Sequence, residues 1–198
     1  MQMSGAARIH TICRATAIAP IVRQLDGKRA IESWPFPVAA SFLTNFFHYV
    51  FSQYWEEVIF GPIIEGAAYE MICPCEPIIS GPHDGYLTVS FGAPHFHLCV
   101  GGHAGSLAHL RQPSRAELFR RLDRQGAPIS WGFQMENGAS QPMISIFFPS
   151  PFVAAGDRME PEPRWDRLHP WRDVTKRFLG LEADEFDQTS IGYVDGNY

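Results

Sequence analysis

The most regular pattern of apolar and polar residues in the chain lies in two short runs, 86–91 and 95–100. In the first run Leu87, Val89 and Phe91 alternate with polar residues, and in the second Phe96, Leu98 and Val100 alternate with His95, His97 and Cys99. A period of two predicts β-strands, because successive side chains of a strand point to opposite faces. Gly92-Ala93-Pro94 separates the runs, so we predict a hairpin in which both histidines and Cys99 share one face.

Helical spacing is clearest in residues 39–60, which contain no glycine or proline. Phe42, Phe46, Tyr49 and Val50 recur at steps of three and four, and Gly61-Pro62 follows. We predict a helix here, with Ser41 as its candidate N-cap and with an unusually high content of aromatic residues.

Two further helices are predicted. One begins at Ser114, where Glu117 would complete a capping box and Leu118, Phe119 and Leu122 would form the buried stripe, and it ends at Gly126. The other is a short helix within 165–179 that starts near Pro170 and ends at Gly180.

The remaining pattern predicts more strands than helices. Residues 67–75 are predicted as a strand, 80–85 as a loop, and 129–136 with 143–148 as a second hairpin turning at Asn137-Gly138. The element order favours an α+β fold: a largely antiparallel sheet built from hairpins with helices packed on one face, with a closed or strongly curled sheet as the alternative. We predict one domain over 1–198, with an N-terminal arm (1–35) and an acidic tail (182–198) at its periphery.

Composition excludes several classes of function. The 198 residues are 45% apolar and carry a formal net charge of -5, with no long Lys/Arg run, so nucleic acid is not an expected partner. No stretch has the length and apolar character of a membrane span, and the first residues lack the apolar core of a secretory signal. We therefore expect a cytoplasmic protein that neither binds nor crosses a membrane.

The candidate chemistry is concentrated on the face that carries His95 and His97. Imidazole binds Zn, Fe, Cu and Ni, and two histidines two residues apart on a strand can reach one ion. A third ligand could come from His103, Cys99, Asp84 or Glu70, of which Asp84 would complete a facial triad of two histidines and one carboxylate. His103 could instead act as an acid or base, Asp84 could simply form the turn before Gly85, and Glu70 could be a solvent-exposed strand residue.

The cysteines suggest further chemistry. Cys99 is a candidate nucleophile beside the imidazoles, although we rank it higher as a ligand or pocket wall. Cys73 and Cys75, one residue apart, are candidate redox thiols or metal ligands, with buried structural thiols as the alternative.

The His95-x-His97 step resembles the start of the first cupin motif. Positions 101 and 102 are both glycine where a cupin has a glutamate, and no second histidine motif follows. No fold or residue role is taken from this resemblance.

We therefore predict a small metal-dependent enzyme. Non-haem Fe(II) would suit oxygenation of a small aromatic substrate in a pocket lined by the first helix, Trp131 and Phe133. Zinc would instead imply a hydrolase or lyase. A third hypothesis is a non-catalytic binding or accessory subunit, whose aromatic helix docks on a partner subunit or on a second copy in a homo-oligomer.

Overall fold

The computed structural model describes residues 19–25, 29–154 and 156–192. Most of the regular structure consists of antiparallel strands joined by short turns. In chain order the elements are β1 (Ile21–Gln24), β2 (Ala30–Phe36), α1 (Ala40–Gln53), β3 (Ile59–Gly61), β4 (Ile63–Ile64), β5 (Ala67–Ala68), β6 (Ile78–His83), β7 (Tyr86–Ser90), β8 (His95–Cys99), α2 (Ala108–Arg111), β9 (Pro113–Leu122), β10 (Pro128–Asn137), β11 (Pro142–Phe147), β12 (Val153–Ala154), β13 (Arg158–Met159) and α3 (His169–Leu179), with 3-10 helices at Trp165–Leu168 and Glu185–Gln188.

Two sheets organise these elements. Six strands pair in the order β1-β2-β9-β10-β11-β3, and three more pair in the order β6-β7-β8. All of the pairs in both sheets are antiparallel. The fold is therefore α+β, as the sequence predicts. Within the described residues the large sheet ends at β1 and β3, so it is open rather than closed into a barrel.

The core lies between the large sheet and α1. Helix α1 places Leu43, Phe46, Phe47, Val50 and Phe51 on one face, and none of these side chains is exposed. The spacing of three, four and seven residues generates this stripe, and hydrophobic burial fixes the helix to the sheet. The Phe46 ring lies 4.4 Å from Phe133 of β10 and 4.9 Å from Phe36 of β2, measured between centroids.

This packing bears on two predictions that depended on the aromatic helix. The five buried apolar residues of α1 pack within their own chain, whereas Phe42 and Tyr49 are only partly buried, so docking of the helix on a partner stays a prediction. Trp131 and Phe133 are also fully buried, and they belong to the core rather than to a pocket for an aromatic substrate.

The predicted helix beginning at Ser114 is wrong, because residues 113–122 form β9. Leu118 pairs with Trp34 of β2 and with Phe133 of β10, in the interior of the large sheet. A strand that is buried on both faces has apolar residues at adjacent positions, which resembles helical spacing. Ser114 does not cap a helix either: its hydroxyl donates a hydrogen bond to the carbonyl of Asn137 on β10.

Other boundaries differ more modestly from the prediction. Helix α1 begins after Ala39 without a side-chain cap and ends at Gln53 rather than at Phe60. The strand predicted over 67–75 is reduced to β5 and a single bridge between Met71 and Phe60. The loop predicted over 80–85 contributes instead to β6 and to the turn that follows it.

The N-terminal arm and the acidic tail are less peripheral than predicted. Strand β2 lies inside the large sheet, between β1 and β9, and Trp34 is buried there. The tail contains the 3-10 helix Glu185–Gln188, whose Asp187 is also buried. Residues 1–18, 26–28 and 193–198 of these two segments lie outside the described residues.

Asp187 joins the tail to the centre of the fold. Its Oδ1 accepts hydrogen bonds from Arg120 of β9 at 2.9 Å and from the Trp131 indole at 2.7 Å, and its Oδ2 accepts one from the Trp171 indole at 3.0 Å. Glu32 of β2 also binds Arg120, at 2.6 Å. A buried guanidinium is thereby paired, which offsets the cost of removing its charge from water.

A second buried carboxylate, Glu117, lies on the face of the large sheet opposite α1. Its side chain is 4% exposed, and it accepts hydrogen bonds from Arg23 of β1, Arg115 of β9 and Gln134 of β10. Burial acts to raise its pKa, but the hydrogen bonds from the two arginines and the charge of Arg23 outweigh burial, and the pKa of Glu117 falls from 4.5 to about 2.

Among the described residues, no helix combines the length and apolar character needed to cross a membrane.

Candidate functional site

The predicted histidine strand is β8, at one end of the three-stranded sheet. Phe96 points inward, where its ring lies 6.0 Å from Phe51 and 5.5 Å from Phe60 between centroids. His95 and His97 point the other way and are exposed. They lie opposite Ser90 and Thr88 of β7, so the outer face of this sheet presents two imidazoles beside two hydroxyl groups.

The two imidazoles are held by hydrogen bonds through the same ring nitrogen. Nδ1 of His97 lies 2.8 Å from Thr88 Oγ1, and Nδ1 of His95 lies 3.2 Å from the carbonyl oxygen of Ala93. A carbonyl only accepts, so Nδ1 of His95 carries the proton and Nε2 has the free lone pair. The ring centroids are 5.1 Å apart.

Cys99 lies on the same strand face as His95 and His97, as predicted, but its surroundings are not those of a nucleophile. It is buried, and its thiol donates a hydrogen bond to the carbonyl of Gly101 at 3.4 Å. A catalytic thiol needs a base within hydrogen-bonding distance. In this part of the chain the partner of Cys99 is a backbone oxygen instead.

Asp84 and His103 come together, but at the other end of the sheet. Nδ1 of His103 lies 2.9 Å from Asp84 Oδ2, and Nε2 of His103 lies 3.1 Å from Arg111. Arginine only donates, so Nε2 is the acceptor and Nδ1–H donates to the carboxylate. Both ring nitrogens are therefore engaged, and His103 has no lone pair directed at a metal or a substrate.

Asp84 owes its position to a tight turn. Asp84 and Gly85 have φ angles of 45° and 80°, as the two central residues of a type I′ hairpin turn require. The Ala104 N–H, which donates to the carboxylate, and the neighbouring His103 lower the pKa of Asp84. This turn abuts Val100, which lies five positions along the chain from His95, about 16 Å in extended strand.

The structure therefore brings the candidate residues together as two separate pairs, His95 with His97 and Asp84 with His103, rather than as one larger cluster. Among the described residues, no group of three or more His, Cys, Asp and Glu side chains is placed to hold a metal ion. Glu70, the remaining candidate for third ligand, is exposed and lines a separate cleft. The facial triad with Asp84 is not formed.

Cys73 and Cys75 differ sharply in environment. Both are free thiols, Cys73 buried and Cys75 exposed. Burial, with a smaller contribution from Cys75, raises the pKa of the Cys73 thiol to about 12. Such a thiol is a poor nucleophile and a poor ligand, which favours a structural role for Cys73. Cys13 lies outside the described residues.

We expect alkylating reagents to distinguish these two thiols. With iodoacetamide at pH 8, Cys75 should react first and Cys73 at least ~100-fold more slowly, since a thiol reacts as its thiolate and the pKa of free cysteine is about 8.5. Mass spectrometry of timed digests measures both rates. The Cys75→Ser variant should leave Cys73 slow. Equal rates, or a disulfide between the two thiols in air, would restore the redox hypothesis.

The sequence did not indicate a cleft of about 840 Å³ beside the large sheet. Its apolar wall includes Ile59, Leu122 and Phe147, and its charged residues include Arg121 of β9. The Arg121 guanidinium lies 5.8 Å from the centre of the Phe147 ring. In a strand over 116–122, successive side chains alternate between faces, which would have placed Arg121 on the same face as Glu117. This pattern was missed because the segment was predicted as a helix. The volume is typical of small-molecule pockets, and none of the predicted histidine ligands lines the cleft.

Comparison with known proteins gives a family but no activity. Residues 20–180 match the sequence model of a family of unknown function, DUF7676. No curated protein matches the chain.

Proposed function

We propose that this chain, which belongs to the DUF7676 family, is a metal-binding protein whose ion is held on the outer face of β8 by His95 and His97. One observation carries the proposal: two exposed imidazoles, 5.1 Å apart, are each held through Nδ1. In metal sites a ligating histidine usually donates its other ring N–H to a carbonyl or similar acceptor, which orients the ring and fixes the tautomer. The contact of His95 with Ala93 has this form.

The donor set favours zinc over Fe(II). Oxygenases of the facial-triad type need a carboxylate ligand, and Asp84 lies too far along the sheet to supply it. Zinc is well served by imidazole alone. Nickel and copper share this preference, so zinc is the first metal to test rather than the only candidate.

Two protein ligands leave about half of a tetrahedral shell to other donors. A water molecule in one of these positions would be activated as a nucleophile, and the protein would then act as a hydrolase or lyase on a small molecule. Further protein ligands in both positions would instead make the ion structural. The cytoplasmic location expected from the sequence is part of this proposal, and the free thiols Cys73, Cys75 and Cys99 suit a reducing compartment.

The test is zinc binding by protein that has first been stripped with a chelator. We expect calorimetry to detect a site that is lost, or weakened at least ~10-fold, in His95→Ala and in His97→Ala. Thr88→Val should weaken it about 10-fold, as loss of a partner behind a ligand typically does. His109→Ala is the matched control, because His109 is exposed on α2, away from this face. If the wild type and His95→Ala bind zinc equally, the proposal is wrong.

A further inference from the structure

The outer edge of β8 is unpaired within the described residues. β8 is the last strand in the order β6-β7-β8. On the side that faces β7, the Phe91 N–H donates a hydrogen bond to the Pro94 carbonyl, and the Val100 N–H donates one to the Gly85 carbonyl. These two bonds show which alternate residues of β8 are hydrogen-bonded to β7. Paired bonds therefore fall at Phe96 and Leu98, and the N–H and C=O groups of His95 and His97 point away from β7.

The two edges of this sheet differ in how they resist pairing. β6 contains Pro82 and an irregular register between Ser80 and His83, both of which discourage addition of another strand. β8 contains no proline, no charged side chain and no bulge. An edge of this kind is a template for a further strand.

A second copy of β8 can pair with this edge in the register that places histidines opposite each other. If two copies pair antiparallel about a two-fold axis beside Phe96, His95 lies opposite the partner's His97, and His97 lies opposite the partner's His95. Because their backbone groups face outward, these two pairs form four hydrogen bonds, with paired Cα atoms about 5.5 Å apart. Opposed residues share a face of the joined sheet, so all four imidazoles lie together.

We infer that a second copy of the chain completes the metal site, so that one zinc ion is bound by four imidazoles across a two-fold axis. The inference rests on the proposed metal binding by His95 and His97. It explains why the described residues of one chain supply only half of a tetrahedral shell, since structural zinc sites have four protein ligands. Zinc is then a link between chains, and the metal-free protein is a monomer.

The experiment measures mass and zinc content together. Metal-free protein, run on size exclusion with light scattering, should give the monomer mass, and added zinc should double that mass at one ion per two chains. His95→Ala and His97→Ala should each remain monomeric with zinc, whereas His109→Ala should dimerise like the wild type.

Mixing the two variants tests the register itself. In a mixed dimer, His97 of one chain lies directly opposite the partner's His95, so the mixture should bind zinc more tightly than either variant alone. Zinc binding at one ion per chain without dimerisation would overturn this inference and leave the proposed function standing. Absence of zinc binding would overturn both. A dimer that forms without zinc, or that survives His97→Ala, would overturn the inference that zinc links the two chains.

Discussion

Replacement of Glu117 by alanine should lower the free energy of unfolding by about 3–5 kcal/mol, as loss of one partner from a buried ion pair typically does. The variant leaves Arg23, Arg115 and Gln134 without the carboxylate that all three bind. Urea unfolding at pH 7 measures the effect. Glu136→Gln is the matched control: its carboxylate lies 3.4 Å from the same Arg115, but it is more exposed, and we expect less than about 1 kcal/mol.

The pH dependence of the wild-type unfolding free energy should reflect the titration of the same carboxylate. Glu117 has its pKa lowered to about 2 in the folded protein, whereas the usual value is 4.5. The unfolded chain therefore takes up this proton first, so the stabilisation is complete above about pH 4.5 and is lost as the pH falls towards 2. The difference is worth about 3 kcal/mol. The unfolding free energies of wild type and Glu117→Ala should converge over this range, and parallel curves would contradict the assignment.

Replacement of Asp187 by alanine should have an effect of similar size, about 3–5 kcal/mol. The variant leaves the buried Arg120 without one of its carboxylates, and the Trp131 and Trp171 indoles without their acceptor. Unfolding followed by tryptophan fluorescence measures both the loss of stability and the changed surroundings of the two indoles.

Asp184→Asn is the control for this second prediction. Asp184 also binds Arg120 at 2.9 Å, but its side chain is 49% exposed, and an asparagine oxygen can still accept from the Phe186 N–H. We expect a loss of at most about 1 kcal/mol. A loss as large as that of Asp187→Ala would show that the charge on the tail, rather than the buried carboxylate, stabilises the fold.

The fold was predictable wherever one face of an element is buried and the other is exposed. The alternation of Leu87 and Val89, and of Phe96 and Leu98, identifies the hairpin of β7 and β8 for this reason. The pattern of apolar residues is misleading in β9, because Phe119 is buried on one face of the strand and Leu118 on the other. Period alone does not distinguish such a strand from a helix.

The candidate site was predictable only for the residues that lie on one strand. His95 and His97 share a face because both lie on β8, which the sequence shows directly. The direction of the chain beyond Gly101-Gly102 depends on tertiary contacts, and these bring His103 to Asp84 instead. The buried roles of Glu117 and Asp187 were missed because each depends on partners far away in the sequence.

Because Asp187 is made after Arg120, the contact between them can stabilise the fold only late in synthesis of the protein. The ribosome makes β9, β10 and β11 before it makes the 3-10 helix that carries Asp187, and domains fold as the chain emerges. Until that helix arrives, the Arg120 guanidinium and the Trp131 indole lack a carboxylate that both bind in the finished protein. A nascent chain stalled before residue 187 should therefore hold its large sheet in a weakened form, which proteases would cleave more readily than the released protein.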